Sequence, residues 1–188
     1  MKIVEYNYKR EVKASYESII WNYFDLEHLY VVHNNYTDAK VFYEDDRLAG
    51  LLLDYKLPIF SFLKSHSLNV VYMSDKNTIK VFNTGLFNLI SETTIKVFEV
   101  DKNNCKLEMN YKFFLKGWLK LLKPFLGKMT QAWNKKVWDE DLNLKLRRTK
   151  VLKNGFKDFH GMESKFAKNN DFKLPVRRHI NSPVNIKK

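Results

Sequence analysis

The sequence predicts an α+β fold: a curved antiparallel sheet of about seven strands wrapped around one long C-terminal helix, with a cavity between them. Three observations carry this. Alternating apolar and polar residues recur in short runs separated by polar turns through the middle of the 188-residue chain. A helical period takes over from about Lys128. The order is strand, helix, a run of strands, long helix. A sheet gripping a helix is the natural way for each to bury one face.

The opening, Lys2 to Lys13, alternates through Ile3, Glu5, Tyr6, Asn7, Tyr8, Lys9 and Val12, which is a strand pattern. Ser15 is placed to cap a helix whose first turn holds Glu17 and Ser18. Tyr16, Ile19, Ile20, Tyr23 and Phe24 recur at helical spacing, so a helix is expected over about Ser15 to Phe24, continuing irregularly toward His33.

After Asn34-Asn35 the pattern becomes strand-like. AKVFYEDDRLAGLLLDYKL gives two strands around Glu44-Asp45-Asp46-Arg47. SHSLNVVYMSDKNTIKVFNT gives a second pair around Ser74-Asp75-Lys76-Asn77. LFNLISETTIKVFEVDKNNCKLEMNYKFFL gives two long strands around Asp101-Lys102-Asn103-Asn104. Regular spacing with polar hairpin turns implies an antiparallel meander.

Pro124 and Gly127 then punctuate the apolar segment WLKLLKPFLGK. Met129, Trp133, Val137, Leu144 and Val151 follow at steps of three, four or seven, and Asn154-Gly155 would stop the helix. A helix of roughly 25 residues spans about 38 Å, long enough to lie across the whole sheet. Residues 1–155 are therefore read as one domain and 156–188 as a basic, flexible tail. The tail carries Lys157, Lys165, Lys168, Lys173, Arg177, Arg178, Lys187 and Lys188 against Asp158, Glu163 and Asp171, with no periodicity. Such a tail could make weak contact with anionic surfaces.

Composition narrows the chemistry. Hydrophobic residues make up 45% and aromatics 15%, a globular balance with enough ring surface to wall an apolar cavity. The net charge of +12 comes from lysines spread along the whole chain. Cys105 is the one cysteine, so no intrachain disulfide and no iron–sulfur cluster can be built from this chain alone. The N-terminus MKIVEYNYKREVKAS has no apolar core of a secretory signal, and no stretch is long and apolar enough for a membrane span, so a cytoplasmic protein is expected. There is no Gly-rich phosphate loop, H-E-x-x-H, CxxC or G-x-S-x-G. His66 lies at a strand start in SHSLNVV and is read as structural, while His160 and His179 fall in the tail.

One segment concentrates imidazoles and carboxylates among apolar residues. DLEHLYVVH, from Asp25 to His33, has the spacing D-x-x-H-x-x-x-x-H. Far along the chain, VWDEDLNLKLRR places Asp141 four residues after Val137 and three before Leu144, on the apolar stripe and facing the sheet. A carboxylate there is costly unless it is paired or binds a cation. Glu140 lies on the other edge of the stripe and could substitute, while Asp139 points nearly opposite.

The element order over about residues 2–155 resembles the helix-grip fold of the START/Bet v 1-like (SRPBCC) and polyketide-cyclase superfamily. Within it, the run ASYESIIWNYFDLEHLYVVH is similar to the catalytic domain of the Rieske-type non-heme iron oxygenases, whose pattern is "N-W-K … E-N … D-x-x-H-x-x-x-x-H". Asn22, Asp25, His28 and His33 keep their relative places. Ser15-Tyr16-Glu17 stands where that family has N-W-K, and Trp21-Asn22 where it has Glu-Asn. The resemblance implies Fe(II) held by His28, His33 and Asp141, with Asp25 orienting a histidine. It implies oxygenase-like chemistry on a hydrophobic or aromatic substrate, with Trp133, Phe113, Tyr111 and Tyr55 as cavity walls. The Rieske domain that normally supplies electrons is absent from this chain, so catalysis would need a separate electron donor.

The alternatives remain open. His28 and His33, five residues apart, lie about 140° apart on an ideal helix and converge only if it breaks. His28 could bond Glu27 or Asp25, His33 could sit at a helix C-terminus, and Asp141 could be salt-bridged to Arg147, Arg148 or a sheet lysine. The same fold would then serve as a non-catalytic lipid or polyketide-type ligand carrier with no metal.

Overall fold

The computed structural model describes residues 1–26, 29, 33, 36–44, 47–56 and 64–154, with side chains described as far as Leu146 except at Leu86. His28 and the tail lie outside the described residues. The elements are β1 (Lys2–Val12), α1 (Tyr16–Phe24), β2 (Tyr36–Glu44), β3 (Leu48–Lys56), β4 (Lys64–Asp75), β5 (Thr78–Thr84), β6 (Ile90–Asp101), β7 (Asn104–Leu115) and α2 (Lys123–Asn154). Short 3-10 turns at Leu86–Asn88 and Gly117–Leu122 join β5 to β6 and β7 to α2.

The strands form one seven-stranded sheet in the order β1-β7-β6-β5-β4-β3-β2, every pair antiparallel. Five of the six neighbouring pairs are sequence-adjacent hairpins. The sixth brings β1 back against β7, with Lys2 opposite Leu115 and Val12 opposite Cys105. The predicted turns fall in place. Asp101 caps its own turn by accepting from the backbone N–H of Asn103 at 2.7 Å, and Asp75 does the same for Asn77 at 2.9 Å. Register slips in β2–β3, β4–β5 and β6–β7 add local twist and bend the sheet.

Alternation puts Leu51, Leu53, Val71, Ile79, Ile95, Val97, Cys105, Leu107 and Met109 on the inner face, where they pack with Ile19, Ile20 and Phe24 of α1 and Trp138 of α2. Ser15 caps α1 as expected, its Oγ accepting from the N–H of Ser18 at 3.3 Å. A second cluster, Val4, Leu115, Leu119 and Leu126, seals the end where β7 hands over to α2.

The long helix begins five residues earlier than the period suggested, with Pro124 in its first turn, where a missing N–H costs nothing. It lies along β1. The hydroxyl of Tyr6 donates to the Lys123 carbonyl at 3.0 Å, and that of Tyr8 to the Gly127 carbonyl at 2.9 Å. Gly127 permits this approach, because a Cβ there would meet the Tyr6 ring at 2.7 Å. The expected apolar stripe needs correction. Its inward residues are Leu126, Thr130, Asn134, Trp138, Asp141 and Lys145, while Met129 faces solvent and Trp133, Val137 and Leu144 are only half-buried. Helical periodicity set the spacing, but packing against the sheet chose a face with four polar residues on it.

Burial pushes the Cys105 thiol up from 9.0 to about 11. It likewise raises the Tyr23 and Tyr111 phenols, by burial first and then by a neighbouring tyrosine. These groups are neutral in the fold and ionise more easily once it opens. Their contribution to stability is full below the unfolded values of 9.0 and 10.0 and is lost as pH climbs through the folded ones. Urea unfolding is expected to give a midpoint insensitive to these groups up to about pH 9, then falling steadily; Cys105→Ala should delay the onset of that fall toward pH 10.

Candidate functional site

The end of α1 and the middle of α2 meet over a buried charge cluster. Asp141 is 4% exposed, His33 1% and Lys145 1%. Asp141 Oδ2 accepts from Lys145 Nζ at 3.1 Å and from Asn22 Nδ2 at 3.0 Å. Asp141 Oδ1 stands 3.1 Å from His33 Nε2, and the other ring nitrogen, Nδ1, is 2.7 Å from Glu140 Oε2. Lys136 reaches within 3.9 Å of Glu140 Oε1. The Lys145 ammonium also lies 3.5 Å from the centre of the Trp138 ring, whose other cationic neighbour is Arg10 at 5.4 Å.

Local sequence explains the assembly. α1 ends at Asp25, whose backbone N–H still bonds the Trp21 carbonyl at 2.9 Å. His33 follows, its N–H bonded to Leu29 O at 3.3 Å and its carbonyl accepting from Tyr36 N at 3.2 Å, so the imidazole is held where β2 begins. Asp141 and Lys145 are four apart on α2 and share its inward face, while Glu140 sits at the edge.

The predicted residues thus divide. His33, Asp141 and Glu140 come together; Asp139 is exposed and bridges Arg10 at 3.2 Å. Asp25 is half-buried at the end of α1, and the carboxylate on His33 Nδ1 is Glu140. The expected salt bridge of Asp141 is made by Lys145 of its own helix. Among the described residues, no group of three His, Cys, Asp or Glu side chains is arranged to hold a metal ion. The fit to iron can be tested directly. Two ligands at right angles on one ion, each about 2.1 Å from it, stand about 3.0 Å apart, which the Nε2–Oδ1 spacing resembles. The other oxygen of Asp141, however, already holds a buried ammonium, and a second cation beside it would be repelled at low dielectric. The described residues therefore fit an internal ion pair better than a ferrous ion.

Aromatic rings extend the site inward. Tyr36 packs edge-on to His33 at 5.4 Å and to Trp133 at 6.0 Å, and Tyr55 completes the group, 6.5 Å from each of Tyr36 and Trp133. Burial, then the Asp141 and Tyr55 charges, pushes the Tyr36 phenol far above its ordinary range. Tyr111 pairs with Tyr8 at 5.5 Å on the inner face, whereas Phe113 belongs to the end cluster with Leu115 and Leu119.

A polar band on the sheet escaped the sequence reading. Ser65, Ser67, Ser91 and Thr93 are buried on the inner face. Asn69 Nδ2 donates to Ser67 Oγ at 3.0 Å, Asn69 pairs across strands with Asn83, and Ser91 Oγ donates to Asn83 Oδ1. The signal was present as S-x-S-x-N in SHSLN and S-x-T in SETT, serines and threonines at inward parity. From the helix side, buried Asn134 brings Nδ2 to 3.7 Å from Met109 Sδ, and its Oδ1 has no hydrogen-bond partner among the described residues.

No family model matches the chain, and no curated protein does. Solved structures do. The ZhuI aromatase/cyclase from Streptomyces sp. R1128 superposes with TM-score 0.58 at 11% identity, covering 80% of this chain and 95% of that one. A START superfamily protein from Mycobacterium smegmatis gives 0.56 at 15%, covering 79% and 98%. Dicamba monooxygenase bound to 3,6-dichlorosalicylic acid gives 0.59 at 15%, covering 81% of this chain but only 52% of that protein. At these identities the likeness is one of fold. The chain has the helix-grip fold seen in START-type proteins, and about half of the dicamba monooxygenase chain shares it.

Removing one partner of a buried pair strands the other. Lys145→Met is expected to lower stability by about 3–5 kcal/mol in urea unfolding. The double variant Asp141→Asn/Lys145→Met should recover much of that loss, because no uncompensated charge is left.

Proposed function

We propose that this protein binds a hydrophobic or aromatic small molecule bearing neutral oxygen functions, in the space between the inner face of the sheet and α2. One observation carries the reading: the Asn134 carboxamide is buried against Met109, and its oxygen lacks a partner among the described residues. A buried acceptor left this way costs free energy unless a ligand or water supplies a donor. Aromatic walls from Tyr36, Tyr55, Trp133 and Tyr111, and the hydroxyl and amide band on β4–β6, suit such a ligand. The fold is shared with an aromatase/cyclase and with a monooxygenase bound to a chlorinated salicylic acid, which is consistent with a ring-bearing ligand.

In this reading Asn134 donates or accepts at a ligand oxygen, the tyrosines bound the ring and exclude water, and the His33–Asp141–Lys145 cluster holds α1 to α2 at the end of the cavity. No covalent step is required of the chain. The second reading, an iron-dependent oxygenase-like enzyme using His28, His33 and Asp141 with Asp25 as orienting residue and a separate electron donor, rests on the Nε2–Oδ1 spacing of 3.1 Å. When bound, Fe(II) would supply O₂ activation, with His33 and Asp141 among its ligands. The buried Lys145 ammonium weighs against it.

Titration with 2-naphthol, followed by quenching of tryptophan fluorescence, is expected to saturate, and Asn134→Leu should weaken it on the order of tenfold without loss of fold. A wild-type protein that binds neither 2-naphthol nor a fatty acid would sink the ligand reading. Metal analysis after anaerobic incubation with Fe(II) and desalting separates the two readings. Carriage without metal predicts no retained iron; one iron per chain, lost in His33→Ala, would establish the oxygenase-like alternative.

A further inference from the structure

The segment from Trp118 to Thr130 is apolar on two sides. Leu119, Leu122 and Leu126 turn inward and pack with Val4 and Leu115. Trp118, Leu121, Phe125 and Met129, at steps of three, four and four, turn outward and are 51–74% exposed. Phe87 extends this outer stripe, 59% exposed, its ring 5.0 Å from that of Trp118. It reaches there from a left-handed backbone, with φ 59° and ψ 29°, a conformation rare for a bulky side chain. A segment with apolar residues on both sides is ordinarily covered on both.

The charge around this stripe identifies the cover. Between Glu108 and Asp139 the chain has no carboxylate, while Lys116, Lys120, Lys123 and Lys128 lie within or beside the stripe. The N-terminal end of α2, with no acidic residue in its first turn, adds the positive end of a helix dipole to the same region. The tail is itself basic, so it is a poor complement, and a second copy would bring lysines against lysines. A nucleic acid backbone would satisfy the lysines but offers nothing to an uninterrupted Trp–Leu–Phe–Met stripe. A leaflet with anionic headgroups satisfies both: lysines at the phosphates, with their stems beside rings inserted at the acyl boundary.

We propose that the Trp118–Leu121–Phe125–Met129 face, with Phe87, docks this domain on an anionic membrane surface. The folded domain, rather than the tail, makes the contact, and no helix of the described residues is long and apolar enough to cross the bilayer. The inference is independent of what the cavity holds.

The test is co-sedimentation of the full chain with vesicles of phosphatidylcholine alone and of phosphatidylcholine with phosphatidylserine. The wild type is expected to pellet with the phosphatidylserine vesicles and to stay in solution with phosphatidylcholine alone. Trp118→Ser/Leu121→Ser/Phe125→Ser should lose binding by on the order of tenfold or more, and Lys116→Gln/Lys120→Gln/Lys123→Gln should lose the preference for phosphatidylserine. Arg177→Gln/Arg178→Gln/Lys187→Gln/Lys188→Gln should retain binding. Should the triple serine variant fail to fold, Leu121→Glu, at the most exposed of these positions, gives the same readout. The proposal is overturned by a wild type that does not pellet with phosphatidylserine vesicles, by apolar variants that pellet as well as wild type, or by loss only in the tail variant. A dimer without vesicles that the serine variant turns into a monomer would also overturn it, assigning the face to a second copy.

Discussion

Burying a carboxylate and an ammonium beneath one helix is the constraint on which this structure turns. Asp141 and Lys145 are almost wholly removed from water, and each is tolerable only because the other is there. The pair is not local to α2. Asn22 brings in the last turn of α1, His33 the residues that lead into β2, and Trp138 the ring beneath the ammonium. Two helices and the first strand of the meander are therefore fixed by hydrogen-bond geometry as well as by apolar contact. Apolar contact alone would let α2 slide or rotate against a curved sheet; a charge that must meet one particular oxygen does not allow this.

The sheet was legible because its rules are local. Alternation decides which side chains turn inward, and Asp75 and Asp101 hold their own turns through contacts two residues long. Ser15 announced α1 in the same way. The face of α2 was not legible from hydropathy, since the residues that point at the sheet include Thr130, Asn134, Asp141 and Lys145, all of which read as solvent-facing in isolation. Met129 attracted attention as core and lies outside it. Asp141 was found from its spacing to Val137 and Leu144, His33 through a resemblance in pattern. Lys145 was missed because a lysine says nothing until its partner is known to be buried; the clue was its position one turn beyond Asp141.

The first half of α2 thus reverses the usual arrangement. Its inner side carries Thr130 and Asn134 toward the sheet, and its outer side carries Phe125 and Met129 toward solvent, in line with Trp118 and Leu121 of the preceding 3-10 turn. Polar groups inside are reasonable where a cavity must recognise something more specific than oil. Apolar groups outside are reasonable where the surroundings are not always water. The two departures lie on different sides of the same few turns.

The strand order also has a consequence for how the chain is made. β1 leaves the ribosome before the six other strands, yet its partner is β7, and Lys2 cannot meet Leu115 until all of them have emerged. The hairpins from β2 to β7 can form in turn as each is synthesised, each closing over a short loop. β1 has no neighbour in the sheet throughout that time, a strand edge with Ile3 and Val4 available to other chains. The charges of β1, Lys2, Glu5, Lys9, Arg10 and Glu11, disfavour such pairing while the strand waits, and in the finished sheet Lys9 and Glu5 are matched by Glu108 and Lys112 of β7.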